Sequence, residues 1–286
     1  MSLEDQLLGF CQKLRVEGQK PVIALNGPVG SGKSTLARHL QQHCAEQGVR
    51  LAIASIDDAY LPYPQRLERM AGNPFGVNRV PPGSHDPDHL QQAIQRWRGG
   101  PGYDLDLPRF DKTLLAGQGD PSLPWRGEAD ALLLEGWMVA CRPLSDQELE
   151  AALSSEMAAD FSAAERAWVR RCNQALGGYQ ALWEQLSSLV MLWPQMWHLP
   201  RRWRFQAEAQ QRRRGGGWMN GQQLDGLVKA SLRSLPPSFY LEPRLPEASL
   251  VRVLNARRCP VFEGSGVDAM NWIRDQASSP SSSATG

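Results

Sequence analysis

The residues with the clearest chemical meaning are a glycine-rich run that ends in lysine and serine. Residues 27–34 read Gly-Pro-Val-Gly-Ser-Gly-Lys-Ser and match the phosphate-binding pattern GxxxxGKS in full. The glycines of this pattern let backbone N–H groups turn around phosphate oxygens, and the next helix directs its positive N-terminus at them. We predict that Lys33 reaches the β- and γ-phosphates of a nucleotide and that Ser34 holds Mg²⁺. The predicted nucleotide contacts are Gly27, Pro28, Val29, Gly30, Ser31, Gly32, Lys33, Ser34 and Thr35.

Two aspartates follow the next apolar run. Asp57 and Asp58 come at the end of residues 51–56 (LAIASI), which are predicted to form a strand. An acid in this place can face the γ-phosphate and accept a proton from an attacking hydroxyl group. Because neighbouring residues of a strand point to opposite sides, we expect only one of the two to face the phosphate. Capping of the loop is the alternative role for both.

A third acid ends another apolar run. Glu135 follows residues 129–134 (ADALLL), and Gly136 comes next. An acid at the end of a central strand can order Mg²⁺, directly or through water. We therefore predict that Glu135 and Ser34 hold the metal, with capping of the Gly136 turn as the alternative for Glu135.

Apolar runs and helical spacing predict the elements that position these groups. Residues 21–26, 34–47 and 51–56 form a strand, helix and strand around the glycine loop, and such βαβ units build parallel sheets. Residues 62–88 lack periodicity and are predicted to be a functional loop. We expect one α/β domain over residues 1–276, with an N-terminal helix within 1–19, and a disordered tail over 277–286. The other predicted strands are 129–134, 189–193 and 250–254, and the other predicted helical regions are 88–97, 145–186 (with a possible break at 177–178), 200–214, 222–235 and 267–276.

The composition excludes several classes of protein. The net charge of +1 gives no overall field for nucleic acid or an anionic membrane. The five scattered cysteines contain no CxxC pair, which favours a reducing compartment over a disulfide framework or a zinc site. The first residues lack the features of a signal peptide, and no apolar run is long enough to span a membrane. We expect a soluble, cytoplasmic protein whose ten tryptophans mainly serve the core.

The motifs together resemble the uridine kinase and phosphoribulokinase superfamily of P-loop kinases. The shared features are the glycine loop, an SxD motif at residues 55–57 and an EG pair at residues 135–136. Within the superfamily, the sequence closely resembles the plant-type D-glycerate 3-kinase family, which also has fungal and cyanobacterial members. This likeness rests on five segments in the family's order: SIDDAYL (55–61), GSHDP (83–87), LPRFDKTLLAGQGD (107–120), LLLEGWM (132–138) and WRFQAEAQ (203–210).

The resemblance implies both a fold and a reaction. The fold is a three-layer P-loop NTPase fold with a mostly parallel central sheet and a helical lid. The reaction is phosphorylation of the 3-hydroxyl group of D-glycerate by MgATP, with Asp57 rather than Asp58 as the catalytic base. The sequence departs from the family at Ala59 and Phe110, and it has Val-Pro-Pro at residues 80–82 where Arg-Gly-Asn is common, with Arg79 just upstream.

A glycerate site needs a cation for the carboxylate and polar groups for the hydroxyls. The segment PRFDK supplies Arg109, Asp111 and Lys112, and an arginine can bind a carboxylate through two parallel hydrogen bonds. We predict that these three residues contact the acceptor, although Arg109 and Lys112 could instead be solvated charges. His85 and Asp86 of the irregular loop are also predicted contacts, although an aspartate before a proline suits a helix cap.

A basic segment at residues 200–217 is the predicted lid. The resemblance implies that a helix after the fourth strand lends arginines to the transferring phosphoryl group. Arg204, inside the segment WRFQAEAQ, is the predicted catalytic lid residue beside Asp57 and Lys33. A nucleic-acid patch or a solvated face is the alternative for this helix.

Two other functions compete with the glycerate kinase. One is a P-loop kinase for another small hydroxylated metabolite, of the pantothenate or uridine type. The other is a nucleotide-dependent switch or nucleic-acid ATPase, which would carry an NKxD motif or a basic stripe, and the sequence has neither. We therefore expect a small-molecule partner and neither nucleic acid nor membrane, while the oligomeric state does not follow from the sequence.

Overall fold

A six-stranded sheet forms the centre of the computed structural model, which describes residues 2–100, 102–213 and 219–278. Its strand order is β2-β5-β1-β6-β7-β8, and within the described residues each neighbouring pair is parallel except β7 with β8. The two remaining strands, β3 and β4, pair as a separate antiparallel hairpin. The strands are β1 (Val22–Asn26), β2 (Leu51–Ser55), β3 (Leu105–Asp111), β4 (Asp120–Gly127), β5 (Ala131–Gly136), β6 (Ser188–Pro194), β7 (Leu250–Leu254) and β8 (Pro260–Gly264).

Longer helices cover the sheet. Within the described residues they are α1 (Leu3–Val16), α2 (Lys33–Glu46), α3 (Tyr63–Arg69), α4 (Pro87–Arg98), α5 (Asp146–Ser154), α6 (Ala163–Leu176), α7 (Leu199–Arg213), α8 (Gly221–Ser234) and α9 (Gly266–Ser278). Single helical turns lie at Leu114–Gly117, Gln180–Trp183 and Pro237–Tyr240, and 3-10 turns lie at Ile56–Ala59, Glu156–Ala158, Gly177–Tyr179 and Glu242–Glu247.

The two faces of the sheet bury separate sets of side chains. In β1, Val22 and Ala24 join one apolar cluster, and Ile23 and Leu25 join the other, as the period of two in a strand requires. The first cluster is closed by α4 and α6, and the second by α1, α2 and α7. Helix–sheet–helix layering of this kind, with a mostly parallel sheet, confirms the predicted three-layer α/β fold.

The sequence patterns missed some elements. The sequence patterns did not predict β3, β4 and the edge strand β8. For β4 the reason is that the strand is largely exposed, carries two prolines and has no alternating apolar pattern. The helical region predicted at 145–186 begins instead as two helices, α5 and α6, each started by its own serine capping box at Ser145 and Ser162. Residues 214–217 of the predicted lid and the part of the predicted tail beyond residue 278 lie outside the described residues.

Large aromatic side chains fill the interior. Trp97, Trp137, Trp168, Trp183, Trp193 and Trp203 are all buried, as predicted for core residues. Within the part of the chain that the structure describes, no helix combines the length and apolar character needed to cross a membrane.

His85 is one of the residues that hold the segment between β2 and α4 to the body of the protein. His85 forms an antiparallel bridge with Tyr60, and their rings stack with centroids 4.4 Å apart. The hydroxyl oxygen of Tyr179 accepts the N–H of Gly83 at 3.0 Å and lies 2.9 Å from Nδ1 of His85. The other ring nitrogen of His85, Nε2, is buried without a partner among the described residues. Burial lowers the pKa of His85 to about 4, although Asp57 opposes the shift.

This buried histidine predicts a pH dependence of folding stability. Between about pH 4 and 6.5 the unfolded chain binds a proton at His85 that the folded chain does not, so the stability falls as the pH falls through this window. The shift corresponds to about 3 kcal/mol, and the contribution is fully present above the unfolded pKa of about 6.5. Denaturant unfolding of the wild-type protein and of His85→Gln, measured at several pH values, checks this. The variant should show a shallower slope in the window, and parallel curves for the two proteins would contradict the assignment.

Candidate active site

The glycine loop joins the end of β1 to the start of α2. Gly30 and Gly32 have φ angles of 77° and 96°, which glycine adopts without strain. Gly32 is the N-cap of α2, where no side chain caps the helix and no acidic residue lies in the first turn. The first N–H groups of α2 are therefore available to an anion, as the sequence predicts for a phosphate site.

Lys33 lies inside this loop. Its Nζ donates to the carbonyl oxygens of Gly27 at 2.8 Å and Pro28 at 3.1 Å. Burial lowers the pKa of Lys33, while the carboxylates of Glu135 and Asp57 oppose the shift. The ammonium group therefore lies among backbone carbonyl oxygens that phosphate oxygens can replace. The carboxylates of Glu135 and Asp57 lie near enough to stabilise its positive charge.

Ser34 and Glu135 come together from different elements. The hydroxyl of Ser34, in the first turn of α2, donates to Oε1 of Glu135 at the end of β5 over 2.8 Å. A hydroxyl and a carboxylate oxygen are the hard donors that Mg²⁺ prefers, and Mg²⁺ commonly takes only one or two carboxylates and completes its shell with phosphates and water. The pair of one hydroxyl and one carboxylate fits that ion.

The two aspartates lie on a 3-10 turn rather than on a strand. Strand β2 ends at Ser55, whose hydroxyl accepts the N–H of Asp57, while the carboxylate of Asp58 accepts the N–H of Ser55. The expectation that strand alternation turns one aspartate away is wrong, because the chain has already left the strand, and both side chains line the same cleft. They differ instead in their partners.

Asp57 is held by two donors of different kinds. The Tyr60 hydroxyl donates to Oδ1 at 2.9 Å, and the Lys112 ammonium donates to Oδ2 at 3.1 Å. Burial raises the pKa of Asp57, but Lys112, His85 and Tyr60 together outweigh it and bring the pKa to about 2. Asp57 is therefore a carboxylate throughout the physiological range.

Asp58 stabilises the 3-10 turn through its hydrogen bonds. Besides the N–H of Ser55, its Oδ2 accepts Nη1 of Arg109 at 3.1 Å, and Nη2 of Arg109 donates to the carbonyl of Ile53 at 3.2 Å. Burial raises the pKa of Asp58, with Ser55 and Arg109 opposing. Arg109 connects β3 to β2 through Asp58 and is not among the described residues that line the cleft, so its contact with the acceptor stays a prediction.

The cleft itself has a volume of about 490 Å³ and contains both the glycine loop and the aspartate turn. The described residues that line it are Val29, Gly30, Lys33, Ser34, Ser55, Asp57, Asp58, Tyr60, Arg79, Val80, Lys112, Glu135, Gly136, Trp137, Arg204, Ala207, Met219, Leu227 and Val228.

The structure separates the predicted acceptor residues. Lys112 lines the cleft, whereas His85 is buried behind Tyr60. Asp86 caps α4 by accepting the N–H of His89 at 3.2 Å, so the capping alternative describes it. Asp111 accepts the N–H and the hydroxyl of Thr113 at 2.8 and 2.6 Å and is not among the described lining residues, so its contact with the acceptor stays a prediction.

Helix α7 occupies the place of the predicted lid over residues 200–217, of which 214–217 lie outside the described residues. It packs on the glycine loop so closely that a Cβ on Gly30 would lie 2.7 Å from the backbone nitrogen of Arg204. Arg204 lines the cleft and forms an ion pair with Glu208 at 3.1 Å. Trp203 is fully buried, and its indole N–H donates to the carbonyl of Ala256 at 3.0 Å, which fixes this part of the helix.

Several lining residues were not predicted. Tyr60 and Trp137 lie inside the segments SIDDAYL and EGWM, so the family likeness contained a signal for them. The indole N–H of Trp137 is buried without a partner among the described residues. Leu227 and Val228 reach the cleft from α8, and no sequence motif marked that helix.

Known proteins with a similar fold include several kinases. A D-glycerate 3-kinase from Cryptococcus neoformans var. grubii serotype A is 25% identical, with a TM-score of 0.77 over 93% of this chain and 99% of that protein. The YGR205w protein, at 22% identity, shares the fold with a TM-score of 0.73 over 92% of this chain and 98% of its own. In sequence, the chain is 29% identical to the uncharacterized kinase mug58 of Schizosaccharomyces pombe over 214 residues, which are 71% of this chain and 76% of that kinase.

No protein-family model matches the chain. The similar structures nevertheless cover most of its length. The predicted resemblance is thereby confirmed: over 93% of its length this chain is similar to a D-glycerate 3-kinase, and over 71% it is similar in sequence to an uncharacterized kinase.

Proposed function

We propose that the protein transfers the γ-phosphate of MgATP to the 3-hydroxyl group of D-glycerate and releases 3-phosphoglycerate and ADP. The observation that carries the proposal is the shared cleft, in which Lys33, the Ser34–Glu135 pair and Asp57 face one space, with Arg79 and Lys112 beside them. This space offers phosphate ligands at one end and a carboxylate with cations at the other. The likeness to a D-glycerate 3-kinase supports the choice of acceptor.

The nucleotide end follows from the glycine loop. Lys33 exchanges its two loop carbonyls for β- and γ-phosphate oxygens, and the N–H groups of the first turn of α2 bind the same phosphates. Ser34 and Glu135 hold Mg²⁺, which when bound neutralises charge on the phosphates. Arg204 reaches the transferred phosphoryl group from α7, where its ion pair with Glu208 keeps the guanidinium at the edge of the cleft.

Asp57 receives the acceptor hydroxyl. Each of its oxygens has one protein donor and keeps a further lone pair, so the hydroxyl can be bound without loss of Tyr60 or Lys112. A carboxylate with a pKa of about 2 is a weak base, so it mainly orients the hydroxyl and takes the proton late. That suits phosphoryl transfer, in which positioning and charge stabilisation dominate and bond formation to the acceptor lags.

An acceptor screen tests the proposal. We expect ADP to form with D-glycerate and MgATP, the product to be 3-phosphoglycerate by NMR, and uridine and pantothenate to be poor acceptors. Lys33→Ala is the inactive control, because Lys33 serves phosphates and not the apolar core. Faster turnover of a nucleoside or pantothenate would point to another kinase of the same fold. ADP release at the same rate without any acceptor would point to an ATPase.

The aspartate turn predicts unequal effects of two matched substitutions. Asp57→Asn removes the oxygen that receives the proton and should lower kcat by about two to four decades, with little change in the KM for ATP. Asp58→Asn keeps an acceptor for Ser55 but loses the charge paired with Arg109, so we expect it mainly to lower the thermal stability and to reduce kcat less. Steady-state kinetics and thermal unfolding of both variants measure this. A reversed order of the kcat effects would move the base role to Asp58.

A further inference from the structure

Four cationic side chains line the cleft: Lys33, Arg79, Lys112 and Arg204. Lys33 is enclosed by the glycine loop, Lys112 is paired with Asp57, and Arg204 is paired with Glu208. Over the described ranges 2–100, 102–213 and 219–278, no carboxylate forms an ion pair with Arg79. Arg79 is therefore the arginine of the cleft that has no described carboxylate within ion-pair distance.

The guanidinium of Arg79 is anchored at one corner. Its Nη1 donates to the carbonyl oxygens of Gln118 at 3.2 Å and Gly117 at 3.5 Å, at the turn of the β3–β4 hairpin. No described residue accepts a hydrogen bond from its Nε or Nη2. The Nε–Nη2 edge is one of the two edges of a guanidinium that bind a carboxylate through parallel hydrogen bonds. The anchor thus fixes the plane of the group and leaves a carboxylate-binding edge open.

Arg79 lines the same cleft as Asp57 and acts on one of its partners. Burial, and then the charge of Asp57, raise the pKa of Tyr60, while the charge of Arg79 lowers it. The Tyr60 hydroxyl donates to Asp57 at 2.9 Å. In a small hydroxy acid, a short carbon chain separates the carboxylate from the reacting hydroxyl, so a carboxylate anchor must lie in the same cleft as the base, where Arg79 lies.

The backbone next to Arg79 is strained. Val80 has a φ of 94°, which is rare for a β-branched residue, and it lines the cleft itself. Such a conformation costs about 1–3 kcal/mol and persists only where the surroundings enforce it, often at a ligand site. Here Pro81 follows and restricts Val80 further. The strained residue thus lies next to Arg79 and shares the cleft with it.

We propose that Arg79 binds the carboxylate of the acceptor through its Nε–Nη2 edge and that this contact selects small hydroxy acids over neutral polyols. The inference rests on the proposed function and gives Arg79 the role that the sequence predicted for Arg109. Lys112 remains the partner of Asp57, and Arg204 remains on the phosphoryl side.

Kinetics of Arg79→Gln and Arg79→Lys test the role. Loss of a charged hydrogen-bonded contact corresponds to a roughly 10- to 100-fold rise in the KM for D-glycerate, with the KM for ATP nearly unchanged. Arg79→Lys should fall between wild type and Arg79→Gln, because lysine keeps the charge and loses the planar pair of donors. Arg170→Gln on the outer surface of α6, where Arg170 pairs with Glu150, is the matched control and should match wild type.

The selectivity readout is the ratio of kcat/KM for D-glycerate to that for glycerol, with calorimetric binding of D-glycerate as a second measurement. The ratio should fall in Arg79→Gln, because the substitution removes the contact with the carboxylate of D-glycerate, and glycerol has no carboxylate that could make this contact. A wild-type ratio that survives in Arg79→Gln, or an equal rise in the KM for ATP, overturns the role of Arg79 while the proposed function stands. If wild type prefers a different hydroxy acid and Arg79→Gln loses that preference, D-glycerate is the wrong acceptor and the role of Arg79 stands. A wild-type preference for glycerol overturns both.

Discussion

The site depends on the hydrogen bonds of Ser55 at the end of β2. The serine hydroxyl accepts the N–H of Asp57, and the Asp58 carboxylate accepts the N–H of Ser55, which ends the strand and starts a 3-10 turn. A strand that continued would send Asp57 and Asp58 to opposite faces, whereas the turn presents both to the cleft. One of them then stabilises the turn and the other remains available for chemistry. The capping hydrogen bonds at Ser55 therefore place two carboxylates with different roles in the cleft.

The β3–β4 hairpin supplies a charged partner for each of the two aspartates. It contributes Arg109 to Asp58 and Lys112 to Asp57, and its turn carbonyls receive Arg79 and the fully buried Arg66. Arg109 and Lys112 each lower the pKa of their aspartate, but burial prevails at Asp58 and raises its pKa, while the neighbouring donors prevail at Asp57 and lower its pKa. Neighbouring acids whose environments separate their pKa values are a common sign of distinct roles in an active site.

The nucleotide end of the cleft could be predicted from the sequence, because it is local. The loop, the first turn of α2 and Glu135 follow from a contiguous motif and from the rule that parallel strands end at one edge of a sheet. The acceptor end could not, because Arg109 and Lys112 are near neighbours in sequence yet serve different aspartates. Their roles depend on the pairing of β3 with β4, and the exposed, proline-containing β4 gives no alternating pattern that would predict it.

This division has a physical consequence for specificity. Apart from Lys33, the proposed phosphate contacts use backbone groups and a helix N-terminus, and Gly30 is confined by α7. The proposed acceptor contacts come from side chains on the hairpin and on the segment around Val80, which are held by a few long-range bonds to carbonyl oxygens. Of the two described arginines that line the cleft, Arg204 belongs to α7 and Arg79 hydrogen-bonds to the turn of the hairpin, so the proposed carboxylate anchor depends on the hairpin and not on the phosphate-binding loop.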